Sequence, residues 1–145
     1  MREEDLVSEQ AAGAVGVVVK TSPFSVDDTV AHLTELVTAK GQKLFALIDH
    51  SGEAHAQGLE LRNTKVVIFG NPVGGTPVMD AVPLVALDLP LKVLIYDDGG
   101  ETRVCYAPPE ELARRYGLSA ELAGRLAGIH AITDALISQP SLTGL

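Results

Sequence analysis

The chain has 145 residues and a formal net charge of −8, and 46% of its residues are apolar although only 4% are aromatic. This length fits one domain that can bury a core of Val, Leu, Ile and Ala without a structural metal. The acidic charge, with no stretch rich in Lys or Arg, argues against a nucleic-acid partner or an anionic membrane surface. Cys105 is the only cysteine, so an internal disulfide is excluded and we expect a cytoplasmic protein without a signal peptide or membrane span.

The two ends of the chain are predicted to lie outside the folded domain. Residues 1–13 are mostly polar or small and are expected to form a flexible leader. The single domain is expected to span residues 14–137, which leaves residues 138–145 as a C-terminal tail. A run rich in β-branched residues at 14–19 predicts the first strand of that domain.

The first helix carries the clearest signals in the chain. Ser25 can cap the amide of Asp28, and acidic residues in the first turn favour the positive end of the helix dipole. Gly41 is a typical residue at a helix end. Between these ends the apolar residues recur every three or four positions, which predicts one stripe facing the sheet: Val26, Val30, Leu33 and Val37.

The middle of the chain alternates strands with less regular segments. Residues 43–49 and 65–69 are predicted strands, and residues 51–58 between them predict a short helical turn closed by a glycine. Residues 71–83 are rich in Gly and Pro, so we expect an ordered irregular excursion in which Thr76 can start a brief helix.

A β-hairpin and two helices complete the predicted domain. Strands at residues 91–96 and 102–106 flank Asp-Asp-Gly-Gly, whose residues tolerate the positive φ of a hairpin turn. Residues 110–116 predict a short helix. Ser119 is expected to cap a single last helix that runs to about residue 137.

This order predicts an α+β fold of the form β-α-β4-α. Strands linked by hairpins imply a mostly antiparallel sheet, with the amphipathic helices packed on one face. The predicted strands are apolar at consecutive positions, which indicates burial on both faces. Helices on one side cannot cover both faces in a monomer, so we expect a homodimer that pairs through the second face.

Asp49 and His50 end the second strand, a position where functional side chains are often presented. Imidazole and carboxylate groups both suit divalent metals, and His55 follows five residues later, so His50 and His55 are candidate metal ligands. Their spacing matches no recognised metal signature. The alternatives are a polar pocket that uses His50 without a metal, and a capping or structural role.

Arg62 and Asn71 flank the third strand and extend the candidate ligand site. The guanidinium of Arg62 could pair with Asp49 or hold a carboxylate or phosphate, and the sequence leaves both open. The glycine-rich segment after Asn71 lacks the motifs of a nucleotide site, so we expect local turns there and name no cofactor. Cys105 lies on an apolar strand and is interpreted as a buried core residue rather than a catalytic thiol.

Five short blocks resemble the domain-of-unknown-function 302 family. In that family an Asp-His pair ends a strand and is followed by Gly-Leu-x-Leu-Arg, Gly-Asn-Pro, Gly-Thr-Pro and Asp-Leu-Pro. The blocks correspond here to Asp49-His50 and to residues 58–62, 70–72, 75–77 and 88–90. The resemblance covers roughly residues 15–117 and implies a homodimeric β-α-β4-α domain with a topology like that of the TATA-box-binding protein. The resemblance supplies no catalytic residues, and such a topology does not imply DNA binding.

The leading hypothesis is a homodimeric small-ligand-binding domain, with a small anionic ligand near Asp49, His50, Arg62 and Asn71. One alternative is an enzyme in which His50 is the general acid or base, Asp49 orients it and Arg62 holds an anionic substrate. Another is a protein-interaction module without a chemical site. The sequence contains no nucleophile, metal or cofactor signature that would favour the enzyme, so a non-enzymatic role is preferred.

Overall fold

The computed structural model describes residues 14–138, so the predicted leader at 1–13 and the tail beyond residue 138 lie outside the described residues. The strands are β1 (Val18–Ser22), β2 (Lys43–Asp49), β3 (Thr64–Gly70), β4 (Leu91–Asp98) and β5 (Glu101–Tyr106). The helices are α1 (Val26–Ala39), α2 (His50–Ala56), α3 (Pro72–Ala81), α4 (Pro109–Tyr116), α5 (Ala120–Gly124) and α6 (Gly128–Ile137), with a 3₁₀ helix at Pro83–Asp88.

The five strands form one antiparallel sheet in the order β1-β5-β4-β3-β2. The strands from β2 to β5 each pair with their neighbour in the chain, whereas β1 pairs with β5. Helix α1 carries the chain from β1 at one edge of the sheet to β2 at the other. The predicted α+β class and the β-α-β4-α order are therefore confirmed.

Helices α1 and α6 pack together over one face of the sheet, which we call the helix face. The α1 stripe predicted from its periodicity is buried, and the Ser25 cap is formed because its hydroxyl accepts a hydrogen bond from the amide of Asp28. The side chains at the centre of this face are fully buried: Leu33, Val67, Phe69, Val93, Ile95 and Ile129.

Two ion pairs also tie the helices to the sheet on the helix face. Lys65 of β3 lies 2.6 Å from Asp27 of α1, and Lys20 of β1 lies 2.7 Å from Asp134 of α6. Each pair joins a lysine on a strand to a carboxylate on the helix above it. The ion pairs therefore help to orient the two helices on the sheet, in addition to the contacts of the apolar core.

The opposite side of the sheet, which we call the open face, carries an apolar row across all five strands. Residues directly opposite each other on paired strands point to the same face. The register places these residues in one row: Ile48, Val66, Leu94, Cys105 and Val19. Among residues 14–138, none of these side chains belongs to the apolar cluster built under the helices.

The structure corrects the predicted excursion at residues 71–83. Most of this segment is helix α3, which begins because the Asn71 side chain accepts a hydrogen bond from the amide of Val73 and Pro72 occupies the first turn. Val78 is fully buried and anchors the helix to the core. The helix was not predicted because glycine and proline give this segment a low intrinsic helix propensity. It forms because burial and capping outweigh that low propensity.

Two other boundaries differ from the prediction. The expected last helix is divided into α5 and α6 by three residues, Arg125 to Ala127, whose amides bond to carbonyls three positions earlier. Gly124 and Gly128 flank this tighter turn, and glycine is a poor helix former. Strand β1 begins at Val18 rather than at residue 14, because a turn bonds the amide of Val17 to the carbonyl of Ala14.

Candidate functional site

Asp49 ends β2 and caps the helix that follows. Its carboxylate accepts hydrogen bonds from the Ser51 hydroxyl at 2.7 Å and the Gly52 amide at 2.9 Å. These bonds, that of Ser51 first, hold the pKa of Asp49 below its usual range. Asp49 therefore has a capping function in this structure, which is one of the alternatives left open by the sequence.

His50, His55 and Arg62 lie on the exposed surface near Asp49. The two histidines sit on α2, and His55 and Arg62 line a shallow groove beside Ser51. Residues 14–138 hold no group of three or more His, Cys, Asp or Glu side chains placed around a metal ion. Both the metal interpretation of His50 and His55 and the general acid or base role of His50 stay predictions.

Asn71 lies at the opposite end of the sheet from this group. The register pairs Asp49 with Lys65 at the start of β3 and Lys43 with Gly70 at its end. Five to six residues of extended chain correspond to roughly 20 Å. The structure thus keeps Asp49, His50 and Arg62 near one another but separates them from Asn71.

A cleft of about 420 Å³ opens at the Asn71 end of the sheet, and we call it the Asn71 cleft. Its walls come from β2, β3, α3, the segment before β4, and the turn between α5 and α6. Most of the lining is apolar: Phe45, Met79, Leu89, Pro90, Leu91 and Leu126. Two blocks that carry the family resemblance, Gly-Asn-Pro and Leu-Pro, meet in this cleft.

Glycines allow the walls of the cleft to approach closely. A Cβ at Gly70 would lie 3.5 Å from Pro90 and 3.8 Å from the ring of Phe45, so its absence leaves room between these walls. A Cβ at Gly74 would lie only 3.3 Å from the carbonyl oxygen of Arg125. Helix α3 can therefore lie directly against the α5–α6 turn.

Three polar side chains line the Asn71 cleft, and each has a different bonding state. The Asn71 Oδ1 accepts a hydrogen bond from the Val73 amide at 3.0 Å. The Gln42 Oε1 is buried and has no hydrogen-bond partner within residues 14–138. Arg125 reaches Glu121 only at 3.7 Å, and both side chains are exposed. Gln42 and Arg125 were not predicted, because neither belongs to a motif and Arg125 fell inside an apparently continuous helix.

A second polar cluster joins β5, α4 and α6. The Tyr106 hydroxyl lies 2.6 Å from Nδ1 of His130, and Nε2 of His130 lies 3.1 Å from Glu110. The ammonium group of Lys20 lies 5.1 Å from the Tyr106 ring centroid. Tyr106 is almost fully buried and the cluster lines neither cleft nor groove, so its contacts serve to hold the elements together.

Cys105 is buried on the open-face row, with only 6% of its surface exposed. Burial raises the pKa of its thiol to about 11, so the thiol is protonated at neutral pH. This agrees with the interpretation of Cys105 as a packing residue. No helix within residues 14–138 has both the length and the apolar character needed to cross a bilayer.

Three curated relatives are similar to part of this chain. They are the fluoride-specific ion channels FluC 1 of Brucella suis biovar 1 (strain 1330), FluC 1 of Brucella abortus biovar 1 (strain 9-941) and FluC 2 of Brucella melitensis biotype 1 (strain ATCC 23456 / CCUG 17765 / NCTC 10094 / 16M). Each is 35% identical over 111 residues, or 74% of this chain. The chain spans only 44% of the Brucella suis protein and 41% of the other two.

A solved structure and a family model agree with the observed fold. The crystal structure of an uncharacterized conserved DUF302 protein from Bacillus stearothermophilus superposes with a TM-score of 0.72, covering 85% of this chain and 96% of that chain. Its sequence identity is 18%, so this likeness supports the fold alone. The family model described as domain of unknown function DUF302 matches residues 18–136, which is most of the chain, and the chain therefore belongs to the DUF302 family.

Proposed function

We propose that this chain is a small-ligand-binding protein whose site is the Asn71 cleft. The observation that carries the proposal is a cleft of about 420 Å³ with mostly apolar walls and three polar side chains, Gln42, Asn71 and Arg125. Ligand sites in proteins typically measure about 300–1,000 Å³ and combine an apolar lining with a few polar groups that orient the ligand. The Asp49 end of the sheet offers a shallower and more exposed groove.

The test of this proposal is a ligand screen combined with a variant that fills the cleft. Gly75 lines the cleft, and a Cβ there would meet only the methyl group of Met79 at 3.9 Å, so Gly75→Leu should add volume without strain. Gly124→Leu is the matched control, because Gly124 is an exposed helical glycine with open space around it. Thermal shift with a fragment library should yield ligands that stabilise the wild type and Gly124→Leu but not Gly75→Leu.

Two results would overturn the cleft as a binding site. One is a set of ligands whose binding is equally strong in the wild type and in Gly75→Leu. The other is a screen without any stabilising ligand, together with a native mass spectrum of cell-purified protein that shows polypeptide alone.

We also propose that two copies pair through the open face. The five strands lie about 4.8 Å apart and are about seven residues long, so the open face measures roughly 24 by 22 Å. Pairing would bury about 1,000 Å² over two copies, which is near the lower limit for a specific interface. The apolar row lies in a chain of net charge −8, so pairing through it places apolar side chains between two acidic subunits. Light scattering at micromolar concentration should give twice 15.2 kDa, and a clean monomer would contradict the proposal.

A second candidate function is that of an interaction module attached to a membrane channel. It is favoured by the three relatives named as fluoride-specific ion channels, in which a segment similar to this chain accounts for less than half of the protein. On this proposal the domain modulates the channel part of such a protein.

The interaction-module proposal can be tested with the Brucella suis relative in proteoliposomes. Fluoride efflux would be compared for the intact relative, for a version without the aligned segment, and for a version with this chain in its place. Restored efflux in the third sample is expected. Equal efflux in all three would exclude a role of this domain in the channel.

A further inference from the structure

The charge of the Asn71 cleft differs from that of the whole chain. Of the lining residues, all within 14–138, Arg125 is the one with an ionisable side chain, although the chain carries a net charge of −8. The ammonium group of Lys43 also lies 5.0 Å from the ring of Phe45, which forms one wall. An acidic protein with a cleft lined by a cation and no carboxylate favours a negatively charged ligand there.

Arg125 has the bonding capacity to hold such a group. Its distance of 3.7 Å from Glu121 exceeds the usual 2.7–3.2 Å of a hydrogen bond, and both side chains are exposed. Exposed pairs of this kind are weak. The planar guanidinium therefore keeps donors available for a bidentate contact with a carboxylate.

Gln42 provides a second polar contact inside the cleft. Its buried Oε1 accepts no hydrogen bond from residues 14–138, and a buried acceptor without a donor is unfavourable. The Gln42 amide nitrogen occupies space beside Gly128, where an added Cβ would lie only 3.2 Å from it, so the side chain packs against the start of α6. A rotation of the side chain that turns this oxygen toward the cleft would let a hydroxyl or amide donor of a ligand satisfy it.

The remaining walls define the body of the ligand. They are apolar side chains from three parts of the fold, including Phe45, Met79 and Leu126. At about 30 Å³ for each group of the size of water, a cleft of about 420 Å³ has room for roughly 14 such groups. This limits the ligand to a medium-sized molecule.

We infer that the Asn71 cleft binds amphipathic monocarboxylates, with the carboxylate on Arg125, the apolar body between Phe45, Met79 and Leu126, and a hydroxyl donor on Gln42. This inference rests on the proposed ligand-binding function of the same cleft. A single negative charge matches the single positive charge of Arg125, whereas a dianion such as a phosphate monoester leaves one negative charge without a cation beside Glu121.

The first experiment separates charge from shape by calorimetric titration with octanoate and with octanamide, its neutral counterpart. Octanoate should bind the wild type at least tenfold more tightly than octanamide. The ratio should fall to near one in Arg125→Gln. Lys40→Gln is the matched control, because it removes an exposed positive charge outside the cleft and should keep the ratio. Thermal melts of both variants check that they are folded.

The second experiment examines the donor and the kind of anion. The 3-hydroxy derivative of octanoate should bind the wild type several-fold more tightly than octanoate, and Gln42→Leu should abolish that advantage. Octyl phosphate should bind less tightly than octanoate. A higher affinity for octyl phosphate would overturn the preference for a monocarboxylate.

The outcomes distinguish this inference from the proposal on which it rests. Equal binding of octanoate and octanamide, both blocked by Gly75→Leu, would overturn the anion preference and leave the cleft as a ligand site. An octanoate preference that is unchanged in Arg125→Gln would overturn the assignment of Arg125. No binding of any of these probes would overturn the inference, and the fragment screen with Gly75→Leu would then decide whether the cleft binds another class of ligand.

Discussion

The helix face and the open face of the sheet are both apolar, but they are buried to different extents. Val67 of β3 is fully buried beneath the helices, whereas its neighbour Val66 points to the open face and keeps part of its exposure. The same alternation separates Val93 from Leu94 on β4. At the edge of the sheet, Ile48 on the open face is 37% exposed. Continuous apolar strands thus show that both faces are apolar without showing what covers each of them.

The two faces also differ in their electrostatic contacts. The helix face has ion pairs that join strands to helices, Lys65 with Asp27 and Lys20 with Asp134. The open-face row consists of apolar side chains and the thiol of Cys105. Elsewhere on the open face, Arg103 lies 2.9 Å from Asp98 and 2.6 Å from Glu101. Charge therefore joins strands to helices on the helix face, whereas on the open face it joins residues within the β4–β5 hairpin.

The two faces should differ most in stability when a buried or facing apolar residue of each is replaced by aspartate. Val30→Asp places a carboxylate in the α1 stripe, where Val30 is almost fully buried, and an unpaired buried carboxylate costs several kcal/mol. Domain stability is about 5–15 kcal/mol, so this variant should be largely unfolded by circular dichroism. Leu94→Asp lies on the open face and should melt cooperatively while the mass by light scattering falls to that of one chain. Native-like melting of Val30→Asp would contradict the assignment of the core.

The thiol of Cys105, on the open face, should react at different rates in the folded and the unfolded chain. Its pKa of about 11 lies two units above the ordinary value of 9.0, so the fraction of reactive thiolate falls by about a hundredfold. Alkylation by iodoacetamide at pH 7.5 should therefore be at least a hundredfold slower in the native protein than in urea. Rapid labelling of the native protein would show that the row around Cys105 opens to solvent.

Acid should weaken the ion pairs of the helix face. The Lys65 ammonium and then the Asn63 amide lower the pKa of Asp27, and the Lys20 ammonium lowers the pKa of Asp134. Because these pKa values are lower in the folded state, their contribution is present above about pH 4 and is lost as the pH falls through the folded values. The partly exposed Lys65–Asp27 pair contributes about 0.2–1 kcal/mol.

The melting temperature should therefore fall between pH 6 and pH 3. The fall should be smaller in Asp27→Asn, which already lacks the pair at pH 6. An equal fall in the wild type and this variant would show that other carboxyl groups determine the acid response.

The smallest effects are expected at the Asp49 end of the sheet. Asp49→Ala removes the cap of α2 and should lower the melting temperature by about 2–5 °C. His50→Ala and Arg62→Ala change exposed side chains and should leave it nearly unchanged. A loss of octanoate affinity in Arg62→Ala, with none in Arg125→Gln, would return the anion site to this end of the sheet.

The fold could be predicted wherever its signals are local. The first helix follows from the Ser25 cap and the period of Val30 and its neighbours, and the β4–β5 hairpin follows from its Asp-Asp-Gly-Gly turn. Helix α3 could not be predicted because its stability depends on the burial of Val78, which is a tertiary contact. The division between α5 and α6 was hidden because apolar periodicity continues across both helices.

The candidate site was harder to predict because proximity in the sequence does not show at which end of the strands a residue lies. Asp49 ends β2 and Asn71 follows β3, but the two strands are antiparallel, so these positions lie at opposite ends of the strands. Gln42 and Arg125 line the same cleft because the α1–β2 turn packs against Gly128 at the start of α6. No local sequence pattern near either residue predicts this packing.

The position of β1 has a consequence for the order of folding. Strands β2 to β5 pair with neighbours in the chain, whereas β1 pairs with β5 across separations of 80 residues for Ser22 and Thr102 and 88 for Val18 and Tyr106. Closing so long a loop costs entropy before any pairing compensates for it, so the β2–β5 meander should assemble first and β1 should dock last. The same strand should then open first in the native state, and its backbone amides should exchange with solvent faster than those of β4 at the centre of the sheet.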